Sequence, residues 1–316
     1  MISSLLNHPL IDDYKSVSVD TYIAMRKKVF PKLKEDFKAL DGFKTMIVFA
    51  LSYPKDQVKF KGKGYGLISR YSYGLDYHLV YRKLFHDLEA TFLAQGYKAK
   101  GYADISPIDE RFAGMLAGLG FMGKNQLLIH PTFGTYHFIG VLLVDQIVKT
   151  TPYVLEDCGD CTLCIQACPP GALSEEGYEE RLCTSYVTQM KEALTNADMR
   201  PMKTMLFGCD ICQRVCPKNK GIQSTDKGVF LPDENSQLHL ETLLKHSNKE
   251  IQRLYKDYAF SYRGGLVLKR NAFVLLYNQK QVHSLPLMKS VYEQYKHVEW
   301  FEKTAKMIID EMEKLT

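Results

Sequence analysis

"DCGDCTLCIQACPPGAL", residues 157–173, places four cysteines within eleven positions, and "GCDICQRVCPKNKG", residues 208–221, supplies three more. All eight cysteines of the 316-residue chain lie between Cys158 and Cys216. A disulfide scaffold scatters its cysteines through a small secreted chain, so this clustering reads as a localised metal site.

Spacing decides which metal. Cys158, Cys161, Cys164 and Cys168, followed by Pro169, spell C-x2-C-x2-C-x3-C-P, the run of bacterial two-cluster ferredoxins, whose fourth cysteine serves the other cluster. Cys209, Cys212 and Cys216-Pro217 repeat the pattern minus one member, and Cys183 is the one cysteine left to replace it. The reading assigns Cys158, Cys161, Cys164 and Cys216 to one [4Fe-4S] cluster, and Cys168, Cys183, Cys209 and Cys212 to a second. Pairs of C-x2-C also hold structural zinc, but three cysteines at successive two-residue gaps crowd one tetrahedral ion. Two clusters in series conduct single electrons and leave open where those electrons go.

The flanks are too large for a simple carrier. They read as separate units: residues 1–150, a cluster module over 151–221, and a helical region over 222–316. With 46% hydrophobic and 24% charged residues the chain is ordinary globular material rather than disordered. The longest apolar runs, such as "FIGVLLV" at 138–144, fall far short of the roughly 18 residues of a membrane span. The opening "MISSLLNHPLIDDYK" has no basic segment, twin arginine or apolar core with a cleavage site, so the expected location is the cytoplasm.

"KTMIVFALSY", 44–53, reads as a buried strand. "DYHLVYRKLFHDLEATFLAQG", 76–96, reads as an amphipathic helix, with Leu79, Val80, Leu84, Leu88, Phe92 and Leu93 at helical steps and Gly96 as its stop. "PIDERFAGMLAGLG" predicts another helix, followed by the strand-like "QLLIH" and "YHFIGVLLV". The fold class is α+β, with mixed α/β structure before the cysteines.

Two motifs mislead. "GLGFMGKN", 118–125, satisfies G-x-G-x-x-G and nearly a phosphate-binding loop, but both need a strand before and a helix after. Here the order is reversed. A glycine-rich helix cap, or a backbone that approaches a bulky flat ligand closely, fits better. "DYHLVY", 76–81, starts like the D-x-H-x-x-G of cobalamin enzymes, yet Tyr81 occupies the glycine position. The motif therefore gives no support to His78 as a lower cobalt ligand.

"RYSYGLDYHLVYRKL" (70–84), "ADISPIDER" (103–111), "AGLGFMGKNQLLIHPTFGTYHFIGVLL" (117–143), the cysteine pattern and "FGCDICQRVCPKN" (207–219) together resemble the epoxyqueuosine reductases. These enzymes use cobalamin and iron–sulfur clusters to finish queuosine in the tRNA anticodon loop. The resemblance is good from residue 46 to 219 and thins to "YRGGLVLKRNA", 262–272, in what looks like a short form of the family. It implies a cobalamin-binding N-terminal domain, a ferredoxin-like module with two [4Fe-4S] clusters, and a short helical, HEAT-like C-terminal segment. The family's cobalamin lies between the N-terminal domain and the clusters, which feed it electrons.

The family's catalytic aspartate falls on Asp104, as the acid that protonates the departing oxygen. An ordinary Asp titrates near ~4, so this role calls for a raised pKa. As a residue type, Asp104 would equally suit the cap of a helix starting near Pro107. Tyr73, Gly74, Asp76, Tyr77, His78, Gly120, Gly123, Lys124, Asn125 and His130 match positions expected to line the cobalamin or substrate pocket.

The segment at 55–71 carries five basic residues to one acidic with aromatics interleaved, a composition that suits phosphate contact and base stacking. Lys59, Lys61, Lys63 and Arg70, with Arg263 and Arg270 further on, are the candidate tRNA contacts. The expected partners are the modified tRNA and a separate low-potential electron donor; no membrane is expected, and the chain is expected to be a monomer. A corrinoid reductive dehalogenase shares the cofactor set but usually carries a twin-arginine signal, and an electron-transfer protein would leave the first 150 residues unused.

Overall fold

The computed structural model describes residues 2–32, 36–104, 106–150, 156–225 and 227–315. Among these lie nine strands: β1 (Asp13–Ser18), β2 (Thr45–Ser52), β3 (Tyr65–Ile68), β4 (Ala99–Tyr102), β5 (Phe121–Met122), β6 (Leu128–Ile129), β7 (His137–Val144), β8 (Met205–Phe207) and β9 (Gln237–His239). The chain divides into two compact units: Met1–Tyr53 with Tyr77–Cys161 and Cys216–Lys227, and Pro54–Asp76 with Thr162–Val215 and Gly228–Thr316. These contact units interleave in sequence, whereas the expectation was three consecutive segments. The segment before the first long helix belongs with the second unit, because β3 pairs with β8 and β9. The stretch after Cys216 returns to the first unit, where the Asn219 amide donates to Thr135 Oγ1 and accepts from Thr135 N.

The first unit is built on an antiparallel sheet of order β1-β2-β7-β4. All eight residues of β2 are buried, the signature of a central strand covered on both faces. The helix Tyr77–Ala94 buries Val80, Tyr81, Leu84, Phe85, Leu88 and Phe92, as its periodicity predicts, while Leu93 stays 72% exposed. Two strand glycines let it settle. A Cβ on Gly140 would meet the Tyr81 ring at 2.3 Å, and one on Gly101 the Phe85 ring at 2.1 Å, so the rings occupy the space that side chains would fill.

The second unit has a small sheet of order β8-β3-β9, parallel between β3 and β8 and antiparallel between β3 and β9. Three helices follow, Gly265–Asn278, Leu285–Tyr295 and Glu299–Glu313. Their apolar stripes share one core, in which Phe273, Met288, Phe301 and Ile308 are fully buried. Among the described residues no helix is long and apolar enough to cross a membrane.

Candidate functional site

Three elements of the first unit converge on one carboxylate. The helix Tyr77–Ala94 opens with Tyr77 and His78, β4 ends two residues before Asp104, and Phe138 is second in β7. The Tyr77 hydroxyl donates to Asp104 Oδ2 at 2.9 Å, and His78 Nε2 lies 2.9 Å from the same oxygen. Stacking fixes Tyr77, whose ring centroid is 4.1 Å from that of His78 and 4.4 Å from that of Phe138. Asp104 has φ 62°, a left-handed conformation that Asp tolerates better than most residues. Its side chain is 54% exposed, so the carboxylate remains reachable.

The hydrogen bond from His78 holds Asp104 below the usual carboxylate range; burial works against this, and the Tyr77 hydroxyl adds to the lowering. In the protein alone, donors to the charged form outweigh desolvation, the opposite direction from the raised pKa that the acid role calls for. Asp104 does not cap the following helix either. That helix starts at Glu110, and Asp109 Oδ1 accepts from Phe112 N at 3.0 Å. Glu110 is pushed up to about 7 by burial.

The glycine-rich stretch is a cap followed by a hairpin. Gly118, φ 76°, ends the helix Glu110–Leu116, and β5 pairs with β6 directly afterwards. No helix follows, so the phosphate-loop order is absent. A Cβ on Gly120 would sit 2.4 Å from Ile129 O, and one on Gly123 2.5 Å from Asn125 Oδ1. Asn125 Oδ1 itself accepts from Leu127 N at 3.2 Å. The stretch reaches toward the cysteines: the Lys124 backbone N–H lies 3.4 Å from Cys158 Sγ, and Phe121 packs in a buried cluster with Cys216 and Cys158.

His130 is a turn anchor rather than a pocket wall, which corrects its expected place. Its Nδ1 accepts from Thr132 N at 3.0 Å, so the proton resides on Nε2, which faces Asp13 Oδ2 at 3.2 Å. Tyr73 is also corrected: it is 1% exposed in the core of the second unit. A Cβ on Gly74 would strike Val229 O at 2.3 Å, and Asp76 N donates to Asp257 O at 2.7 Å. These contacts are packing within the second unit.

The cysteines gather in a crossed pattern. In the first unit the Cys216 thiol is pushed up by burial and has Cys158 and Cys161 as charge neighbours. In the second unit burial pushes Cys209 up to about 12, with Cys183 and Cys168 beside it, and pushes Cys212 up as well, with Cys209, Cys183 and Cys164 among its neighbours. Thiols held this strongly protonated ionise when a metal takes the proton's place. What fits thiolate-ligated iron is the grouping: eight cysteines in two sets, the donor complement of two [4Fe-4S] clusters.

The family model "4Fe-4S double cluster binding domain" matches residues 157–219, and "Epoxyqueuosine reductase QueG, DUF1730" matches 37–105. The chain is 33% identical over 286 residues to an epoxyqueuosine reductase of Staphylococcus aureus, covering 88% of this chain and 73% of that protein. It belongs to the epoxyqueuosine reductase family. A solved epoxyqueuosine reductase bound to an epoxyqueuosine-modified tRNA-Tyr stem loop superposes with a TM-score of 0.85 at 26% identity, over 98% of this chain and 88% of that one. A Bacillus subtilis epoxyqueuosine reductase, solved with its aspartate-bearing catalytic loop swung out of the active site, matches at the same TM-score of 0.85 and 26% identity, over 98% of this chain and 90% of that one. The chain is thus an α+β oxidoreductase with a double [4Fe-4S] module.

Membership in this family directs attention to the basic residues. Lys59, Lys61 and Lys63 are exposed on a loop of the second unit. Gln237 brackets that loop, its Oε1 accepting from Lys61 N and its Nε2 donating to Lys59 O, both at 2.9 Å. Arg263 lines a cleft of 320 Å³ with Tyr178, Tyr186 and Tyr262, its Nε donating to Gln189 O at 2.7 Å. Arg70 and Arg270 are corrected as tRNA contacts. Arg70 is 5% exposed beside the buried Asp210 carboxylate, and Arg270 is fully buried. A charged residue in sequence does not declare its burial; here the carbonyl partners lie 78 to 83 residues away. Phe138 and Glu110 were missed, Phe138 because an apolar strand residue looks like any other.

Proposed function

We propose that the chain reduces epoxyqueuosine to queuosine in the tRNA anticodon loop, with electrons passing singly through the two [4Fe-4S] clusters to cobalamin and with Asp104 as proton donor. The observation that carries this is the meeting of Tyr77 and His78 on Asp104 Oδ2, each at 2.9 Å. A half-exposed carboxylate flanked by stacked rings fits a flat cofactor laid over it. Bound cobalamin supplies the reductive cleavage of a C–O bond that no side chain performs. Two electrons and two protons enter, both epoxide C–O bonds break, a carbon–carbon double bond forms, and the oxygen leaves as water.

The low pKa of Asp104 gives His78 a part in this. When the pair carries one proton beyond the neutral imidazole's own, as imidazolium–carboxylate or imidazole–carboxylic acid, that proton is shared between His78 Nε2 and Asp104 Oδ2. As negative charge develops on the departing oxygen, the proton passes from the pair through Oδ2, and Tyr77 keeps that oxygen aimed. Proton donation by a positioned side chain contributes about 10²–10⁴-fold in rate.

Lys59, Lys61, Lys63 and Arg263 supply phosphate contacts in this reading. We infer a cytoplasmic protein, a location that a tRNA substrate supports, acting as a monomer fed by a separate low-potential electron donor. The test is to mix reduced, cobalamin-loaded protein with epoxyqueuosine-containing tRNA and to look for queuosine by mass spectrometry. Queuosine is expected; its absence at full cofactor loading overturns the reading.

A further inference from the structure

Arg270 is 0% exposed, yet among the described residues every hydrogen bond it makes goes to a neutral oxygen. Nη1 donates to Met190 O at 2.6 Å and Glu192 O at 3.0 Å, and Nη2 to Val187 O at 3.0 Å. Nε and Nη2 also donate to Asn271 Oδ1, at 3.1 and 2.8 Å. Among the described residues no carboxylate stands within ion-pair distance of it. Asp198 and Glu192 act from farther away, and each is engaged elsewhere, Asp198 by its own helix cap and Glu192 by Arg181 at 2.7 Å. The Trp300 ring, 5.6 Å from the guanidinium carbon, is a weak substitute.

Burying a charge without a counter-ion is costly. Burial lowers Arg270 to about 9, which still leaves it cationic at neutral pH. The backbone that it clamps shows what offsets this. Residues 187–192 follow directly on Cys183, whose carbonyl accepts from Val187 N at 2.9 Å. Asn271 Nδ2 extends the clamp, donating to Thr188 O at 2.7 Å and Leu206 O at 2.9 Å. Thr188 Oγ1 in turn accepts from Gly208 N, next to Cys209, at 2.9 Å. The Arg270–Asn271 pair is therefore hydrogen-bonded to the backbone that follows Cys183 and, through Thr188, linked to Gly208 before Cys209, two of the four cysteines of the second cluster; a [4Fe-4S] group with four thiolates carries net negative charge.

We propose that Arg270, aligned by Asn271, is the counter-charge and positioning residue of the second cluster (Cys168, Cys183, Cys209, Cys212) and raises its reduction potential. Reduction adds an electron to an already anionic centre, and a fixed buried cation favours the more negative state. The inference rests on the cluster assignment and is independent of the tRNA and cobalamin reading.

The test is an EPR-monitored redox titration of the full chain, anaerobically reconstituted with iron and sulfide, without tRNA or cobalamin. Arg270→Gln at full iron content is expected to lower one of the two couples and leave the other. At the wild-type midpoint that cluster should be about tenfold less reduced, the order of one partly screened charge in a protein interior. Arg270→Lys keeps the charge and is expected to hold the couple near wild type even if thermal stability falls. Asn271→Asp places a carboxylate directly against the guanidinium and is expected to lower the same couple, which keeps the test open if Arg270→Gln does not fold. Unchanged potentials in either charge-altering variant, or equal shifts of both couples, overturn the proposal.

Discussion

His78 Nε2 stands 2.9 Å from Asp104 Oδ2, and their supports are the first turn of a helix and the loop after an edge strand. Asp104→Asn removes the ionisable oxygen and nearly preserves its shape. The variant is expected to bind both clusters normally and to lose about 10²–10⁴-fold in turnover, measured as queuosine formed per minute. Unchanged turnover would remove Asp104 from the reaction.

Tyr77→Phe keeps the stack on Phe138 and loses one donor to Asp104. A neutral hydrogen bond to a charged group is worth about 1.5–3 kcal/mol at most, so turnover should fall by less than in Asp104→Asn. His78→Gln leaves Asp104 alone, in the ordinary carboxylate range near ~4, to hold the transferable proton, so the alkaline limb of the pH–rate profile should move to lower pH. A profile identical to wild type would separate His78 from proton supply.

Cys183 fills the place missing from the second motif. Cys183→Ser is expected to lower iron from about eight to about four per chain, the content of two cubane clusters and of one. Eight irons in the variant would break the ligand assignment.

Two buried groups of the first unit give opposite pH slopes to stability. Burial lowers His137 to about 3, so between there and its ordinary value of 6.5 the unfolded chain binds more protons and stability falls as pH falls. Glu110, raised to about 7 from 4.5, is protonated in the folded state over that interval, so its contribution is lost as pH rises through about 7. Glu110→Gln should therefore gain thermal stability relative to wild type at pH 8 more than at pH 5. Equal shifts at the two pH values would contradict the burial of an ionisable Glu110.

Lys59, Lys61 and Lys63 project from a loop whose backbone Gln237 ties down. Replacing all three by Ala should weaken binding of an anticodon stem loop and flatten the salt dependence of log K by about two to three units, since each phosphate contact contributes about 0.7–0.9 to the slope. An unchanged slope would place the RNA elsewhere.

The cysteine spacing by itself determined the two-cluster module, and periodicity located the central strand at 45–52 and the long helix, because metal geometry and side-chain burial repeat at fixed sequence intervals. The matched blocks around Asp104 were enough to point to the family. Tertiary structure decided the rest. Only it shows that β3 leaves the first unit for the second, that Arg270 is buried against carbonyls and so cannot serve as a phosphate contact, and that Asp104 is held low by His78. Burial, strand pairing and pKa depend on groups tens of residues away, brought near by folding, and no local pattern of residues records that distance.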